Sequence, residues 1–214
     1  DNRWSVMPSV VAEGRRVLGN IERVSDVFLT KTSYAVIISL ITGLSVITHG
    51  FDIAFPFLPR HLSLIGALTI GIPAFFLALM PNTERFRPGF LRRVLLFSIP
   101  SGLICAAAAL ASYSVARAAG EQVLDAQAAA TVTLFLVSIG VLLQSARPLN
   151  AIRIGIVGAM VIAFIGVLVI PPLAHFFALE LQWQASTVWA LVLGFAGAAL
   201  VWAAALVTDR WRRP

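Results

Sequence analysis

Residues 58–79 read LPRHLSLIGALTIGIPAFFLAL. From Leu62 onward this stretch carries no charge, and about 20 such residues in a helix cross the hydrocarbon core of a bilayer. Its centre is irregular. Pro73 has no N–H and cannot bond the carbonyl of Thr69 four residues back. Gly71 adds backbone freedom beside it, and Thr69 adds a hydroxyl. A membrane helix interrupted at mid-depth exposes carbonyl oxygens that can coordinate a cation. The same pattern also suits a kink whose freed groups are satisfied by neighbouring helices. The residues alone leave both readings open.

Working outward, comparable apolar runs recur on both sides. One precedes it at about 27–48, it occupies about 62–80 itself, and four follow at about 92–116, 127–146, 152–172 and 186–207. The expected fold class is therefore an all-α integral membrane protein with six transmembrane helices. The composition agrees. Of 214 residues, 59% are hydrophobic and only 12% are charged, with a mean hydropathy of +0.90. A soluble domain is about 25% charged, so too little polar surface remains to hold this chain in water. Residues 1–26 differ. Val10, Val11, Val17, Leu18, Ile21 and Val24 recur at helical spacing among charges, which predicts an amphipathic helix. The segment Asn20–Leu40 contains no Gly or Pro, so that helix should run straight into the first span.

The net charge of +6 does not point to nucleic acid. The arginines lie in short clusters between apolar runs, as in cytoplasmic loops of membrane proteins. With both termini placed inside, 14 of the 16 Lys and Arg fall on the cytoplasmic side, and only Arg60 and Arg117 fall outside. Trp183, Trp189 and Trp211 then fit interfacial belts. A cleavable signal segment is not evident, and the chain, which does not begin with Met, reads as a piece of a longer polypeptide.

Catalytic chemistry has no foothold here. There is no Gly-rich phosphate loop and no Ser/His/Asp set. His49, His61 and His175 are far apart and all near the expected outer surface, which makes a metal site from them a remote prospect. The single cysteine, Cys105, sits in an apolar run and offers no disulfide or ligand spacing. The small residues of Ala106–Ala109 and Ala203–Ala205, and Gly155, Gly158, Gly194 and Gly197, read as faces for close helix packing. The remaining polar feature is Phe28-Leu29-Thr30-Lys31-Thr32-Ser33-Tyr34 in the first span. An ionisable group within a membrane span is a functional candidate by default. Lys31 could equally extend its stem and snorkel to the inner interface.

The order of these features resembles a known family. Asp1-Asn2, then Gly14-Arg15 and Asn20-Ile21 ahead of the first span, look like the stalk and fifth membrane helix of cation-transporting P-type ATPases. The Thr69-x-Gly71-x-Pro73 centre, after its Pro-rich approach, looks like their sixth helix. The closest flavour is an actinobacterial, CtpE-like subgroup. The likeness covers the whole chain, but specific motifs lie only in residues 1–82.

The resemblance implies the C-terminal part, helices five to ten, of the transport domain of an ATP-driven pump, with calcium suggested as the cation. Residues 1–26 would be the end of the phosphorylation domain and the stalk, and residues 27–214 the six-helix membrane domain, in a cell membrane. ATP and Mg would serve the full-length protein and not this fragment. The partners would be the transported cation, the lipid bilayer and the missing N-terminal part of the same polypeptide. Ion-pathway candidates are Lys31, Thr32, Ser33, Thr69, Gly71 and Pro73, with Thr32 and Thr69 as metal ligands. One departure stands out. Aligned with calcium and sodium pumps, the helix-six Asn and Asp positions are Gly66 and Ile70, and the helix-five Asn and Glu positions are Thr32 and Ala35. No carboxylate remains in either helix core, although hard divalent cations favour carboxylate oxygens. The alternative is a stand-alone six-helix membrane scaffold or passive carrier.

Overall fold

The computed structural model describes residues 7–47, 54–80, 89–180 and 184–212. Asp1, Asn2, His49 and Trp183 lie outside the described residues. As expected from its lack of Gly and Pro breaks, the first span is part of one 41-residue helix, α1 (Met7–Ile47). By length and composition its apolar part begins at Gly19 rather than at 27, and Arg23 and Asp26 within it are buried.

The second span, Pro59–Leu79, comprises α2 (Pro59–Gly66), a π-helical segment (Ala67–Gly71) and α3 (Ile72–Leu79). It is followed by α4 (Phe90–Ala118), α5 (Val123–Ser145), α6 (Ala151–Val169), the short α7 (Pro171–Phe177) and α8 (Ala185–Arg212). The described residues contain no strand. Six stretches are long and apolar enough to cross a membrane, as the run count predicts. Between α4 and α5 the chain reverses at Gly120, whose φ of +83° lies in the left-handed region where a β-carbon is strained. Asn150 caps α6 by accepting from the Arg153 N–H at 2.9 Å.

The helices arrange around α5, which is almost wholly buried. α4, α5 and α8 form a tight block, and α1 lies along α4. Small residues permit the closest approaches. Gly140 faces Ala198, Gly194 faces Leu136 and Gly197 faces Val137, each so near that an added β-carbon would overlap its neighbour. Phe135 and Phe164 stack with ring centres 3.8 Å apart and join α5 to α6. Gly155 and Gly158 do not pack in this way. Nothing lies within 4 Å of a β-carbon at either, because they sit on the open side of the peripheral α6.

α1 and α4 run parallel along a seam. At its start the Arg93 guanidinium grips Glu22 with two 2.8 Å hydrogen bonds. Next, the Ser98 hydroxyl donates to the Asp26 carbonyl at 3.1 Å. Beyond that the backbones almost touch at Gly102. A β-carbon there would lie 2.4 Å from the Ser33 β-carbon and 3.1 Å from the Tyr34 nitrogen. A glycine is required at this point because the two helices leave no room for a side chain.

Candidate functional site

The irregular centre of the second span is the one π-helical segment among the described residues. The Ile72 N–H reaches back five residues to the Ala67 carbonyl, and Pro73, next in line, brings no N–H. The carbonyl that Pro73 would otherwise serve, at Leu68 in the wide register or Thr69 in the ordinary one, therefore loses its helical donor. Thr69 is buried, and its hydroxyl donates to the Ile65 carbonyl at 2.8 Å. That bond uses its proton and leaves lone pairs on the oxygen. Gly71 is exposed and Pro73 is buried.

Both ends of this span are tied down. At one end the Asn20 side-chain amide donates to the carbonyls of Ala78 at 2.8 Å and Met80 at 3.1 Å. These are carbonyls that a helix C-terminus otherwise leaves without partners. At the other end Arg60 donates to the Phe176 carbonyl at 2.8 Å. His61 is fully buried, its Nδ1 accepts from the Leu58 N–H at 3.2 Å, and its Nε2 lies 2.8 Å from the Phe177 carbonyl. Since Nδ1 accepts, Nε2 carries the proton and donates. Both ring nitrogens are therefore occupied. His175 pairs with Glu180 at 2.7 Å, and no group of metal-ligating side chains occurs among the described residues.

The candidates on α1 are consecutive and so point in three directions. Thr32 is exposed, and its hydroxyl donates to the Phe28 carbonyl at 3.1 Å. Ser33 packs against Gly102 of α4. Lys31 is the one that reaches the second span. Its Nζ lies 2.7 Å from where a β-carbon of Gly66 would be, at the doorstep of the π-helical segment. The ammonium does not snorkel back along α1. Asn20 marks the end of the second span, and the helix rises about 16 Å from there to Lys31. Gly66 itself stands roughly 10 Å from the Pro59 end and roughly 20 Å from the Leu79 end.

Three features of this region escape sequence reasoning. Asn20 was visible only as part of a motif, with no hint of its partner. Glu22 and Arg93 carry no local signal of their pairing, because nothing in the sequence links residues so far apart in the chain. Gly102, inside Pro100-Ser101-Gly102, carried a recognisable signal in its run of small residues.

No family model matches the chain. Individual relatives do. The chain is 43% identical over 209 residues to the calcium-transporting ATPase CtpE of Mycolicibacterium smegmatis, which covers 94% of this chain and 26% of that protein. It is 39% identical, with the same coverage, to the protein of that name in Mycobacterium tuberculosis. The chain belongs to the cation-transporting P-type ATPases, as part of their membrane region. A probable cation-transporting ATPase of Streptococcus pneumoniae, 32% identical over 100 residues, extends the relationship beyond the mycobacterial pumps. The chain spans about a quarter of the length of the mycobacterial relatives. Similarity to pumps along nearly all of it does not favour a stand-alone scaffold or passive carrier.

Proposed function

We propose that this chain carries part of the ion path of an ATP-driven cation pump, with calcium as the cation, in a cell membrane with both termini cytoplasmic. The observation that carries the reading is the π-helical turn with Pro73 at the centre of the second span, with Lys31 of α1 reaching Gly66 at its edge. The carbonyl freed by Pro73 at Leu68 or Thr69, the Thr69 hydroxyl oxygen and the exposed Thr32 oxygen are hard donors of the kind such cations take. Ser33 and Gly71 contribute by letting backbones come close, and Lys31 sets the local charge. Because neither helix centre offers a carboxylate, the remaining ligands come from the rest of the polypeptide.

Residues 1–26 serve as the end of the phosphorylation domain and as the stalk. The continuity of α1 from Met7 through the span supports this, since a rigid helix transmits displacement along its axis. The chain contains no Gly-rich phosphate loop of the kind that cradles ATP. ATP and Mg belong with the remainder of the pump.

The test uses the full-length pump. Thr69→Val and Thr32→Val keep the side-chain shape and remove the oxygen. Each should raise the cation concentration needed for half-maximal ATPase activity, by roughly tenfold for a lost ligand worth about 1.4 kcal/mol. Unchanged cation dependence in both variants would remove the oxygen site and leave a structural distortion.

A further inference from the structure

His61 stands near the start of the second span, is fully buried, and takes no part in the proposed oxygen site. Its ring joins two elements. Nδ1 accepts from the Leu58 N–H just ahead of α2, and Nε2 donates to the Phe177 carbonyl at the end of α7. Arg60 beside it donates to the Phe176 carbonyl. These are among the last carbonyls of α7, which a helix end leaves without partners. The chain leaves α7 through Ala178 at φ +50°, a left-handed conformation that costs a residue with a β-carbon and persists only where contacts hold it. Leu179, next, is fully buried, and its N–H closes the turn on the Ala174 carbonyl at 2.8 Å. The ring can hold both ends only as the neutral tautomer. Once protonated it carries a hydrogen on Nδ1 as well, and that hydrogen meets the Leu58 N–H donor to donor.

The surroundings offer a proton little compensation. Arg60 precedes the ring in the chain and is itself a cation. On the α7 side, His175 and Glu180 pair with each other at 2.7 Å and are largely exposed. α5 packs along α2, and the acid at that end of it is the exposed Asp125; its buried Gln127 donates to the Phe55 carbonyl at 2.9 Å. Among the described residues no acid bonds the ring. A helix C-terminus favours a cation, so the bond to Phe177 would strengthen. Against that stand one bond lost and a charge out of water beside a second cation, and this loss is the larger. A protonated ring therefore leaves for water and drops both bonds. We infer that His61 is a proton-operated latch: neutral, it fastens the outer end of the second span to the end of α7, and acid on that side of the membrane unfastens it. The fastening is present above the titration of the ring and is lost as pH falls through it. The inference rests on the pump reading for which side is outer and for what is released, the outer anchor of the span that carries the π turn.

The experiment is amide hydrogen exchange in the full-length pump, held in sealed vesicles and read at Leu58 and Leu179. The pH is lowered from about 8 to about 5, the range in which a histidine changes charge. After correction for the intrinsic pH dependence of exchange, protection at both amides should fall by about tenfold or more, as for hydrogen bonds opened locally. His61→Gln keeps a donor and an acceptor on a side chain that does not titrate, and its protection should not change with pH. His175→Gln and His49→Gln should respond as the parent does. Protection that is unchanged by acid in the parent overturns the proposal without recourse to any variant, and so does an acid response that survives in His61→Gln. Should His61→Gln fail to fold, His61→Asn takes its place, and loss of the response in His175→Gln or His49→Gln overturns the proposal by tracing it to another ring. The acid must also act from the compartment opposite the stalk; a response only to acid on the stalk side overturns it. Exchange does not depend on transport, so the two readings fail separately. A pump whose ATPase answers to no cation sinks the pump reading and leaves the latch in place, whereas unchanged exchange in a cation-stimulated pump sinks the latch alone.

Discussion

Replacing Gly102 by alanine is the sharpest probe of the α1–α4 seam. The new β-carbon would sit 2.4 Å from the Ser33 β-carbon, 3.1 Å from the Tyr34 nitrogen and 3.2 Å from the Thr30 carbonyl oxygen. Carbon atoms rest at about 3.5–4.0 Å, so the helices must part by on the order of 1 Å. No rotamer change relieves the clash, because all three neighbours are backbone or β-carbon atoms. Overpacking of this kind costs about 1–3 kcal/mol. The proper control is Gly155→Ala, which meets nothing within 4 Å. Both changes gain the helical preference of alanine over glycine, about 1 kcal/mol, so the difference between them isolates the packing cost. At roughly 2–4 °C per kcal/mol for a chain of this size, Gly102→Ala should melt on the order of 5 °C below Gly155→Ala. The assay is thermal unfolding of the purified 214-residue chain in detergent. Adding Ser33→Gly removes the worst overlap and should recover part of the loss. Equal melting temperatures for the two alanine variants would refute the reasoning.

Other outcomes follow from the same geometry. A double-mutant cycle with Glu22→Gln and Arg93→Gln should give a coupling of about 1 kcal/mol that shrinks at high salt, since the pair is bidentate but partly open to solvent; a salt-independent coupling near zero would contradict it. His61→Leu leaves the Phe177 carbonyl and the Leu58 N–H without partners and should cost about 1–3 kcal/mol in the same melting assay. In a Cys105→Ala background, cysteines at Arg60 and Arg117 should react with an impermeant reagent added to intact cells while one at Arg92 should not; equal labelling of positions 60 and 92 would overturn the orientation. The purified 214-residue chain should hydrolyse no ATP above background, as it carries no phosphate-binding motif.

The six spans were legible because each is a long, nearly uncharged run, and that requirement comes from the bilayer rather than from tertiary contacts. Their burial was not. α5 is the buried centre and α6 the rim, yet both are apolar all round, so periodicity has nothing to distinguish them by. Pro73 and Gly71 announced a distortion. They did not say that it would be a widened turn that keeps the helix continuous, which is settled by the bonds made at either end. The trio Lys31, Thr32 and Ser33 was found from its polarity alone. Which of the three would meet the second span depends on the rotation of α1, and that is fixed by the Gly102 contact seventy residues away. Asn20 and Glu22 were out of reach for the same reason, their partners being set by how helices dock.

The second span is held at one end by Asn20 and at the other by Arg60 and His61, with the π turn between them. A π turn is an α-helix that has taken in one extra residue. Its removal would turn α3 against α2 by about 100° and shift it by about 1.5 Å. With both ends fastened, the helix cannot slide as a whole, so any slack between its anchors must be taken up or let out at that turn. The span thus behaves as a strap with its buckle at mid-membrane, where a change of one notch would swing Thr69 and its neighbouring carbonyls from one side of the helix towards another.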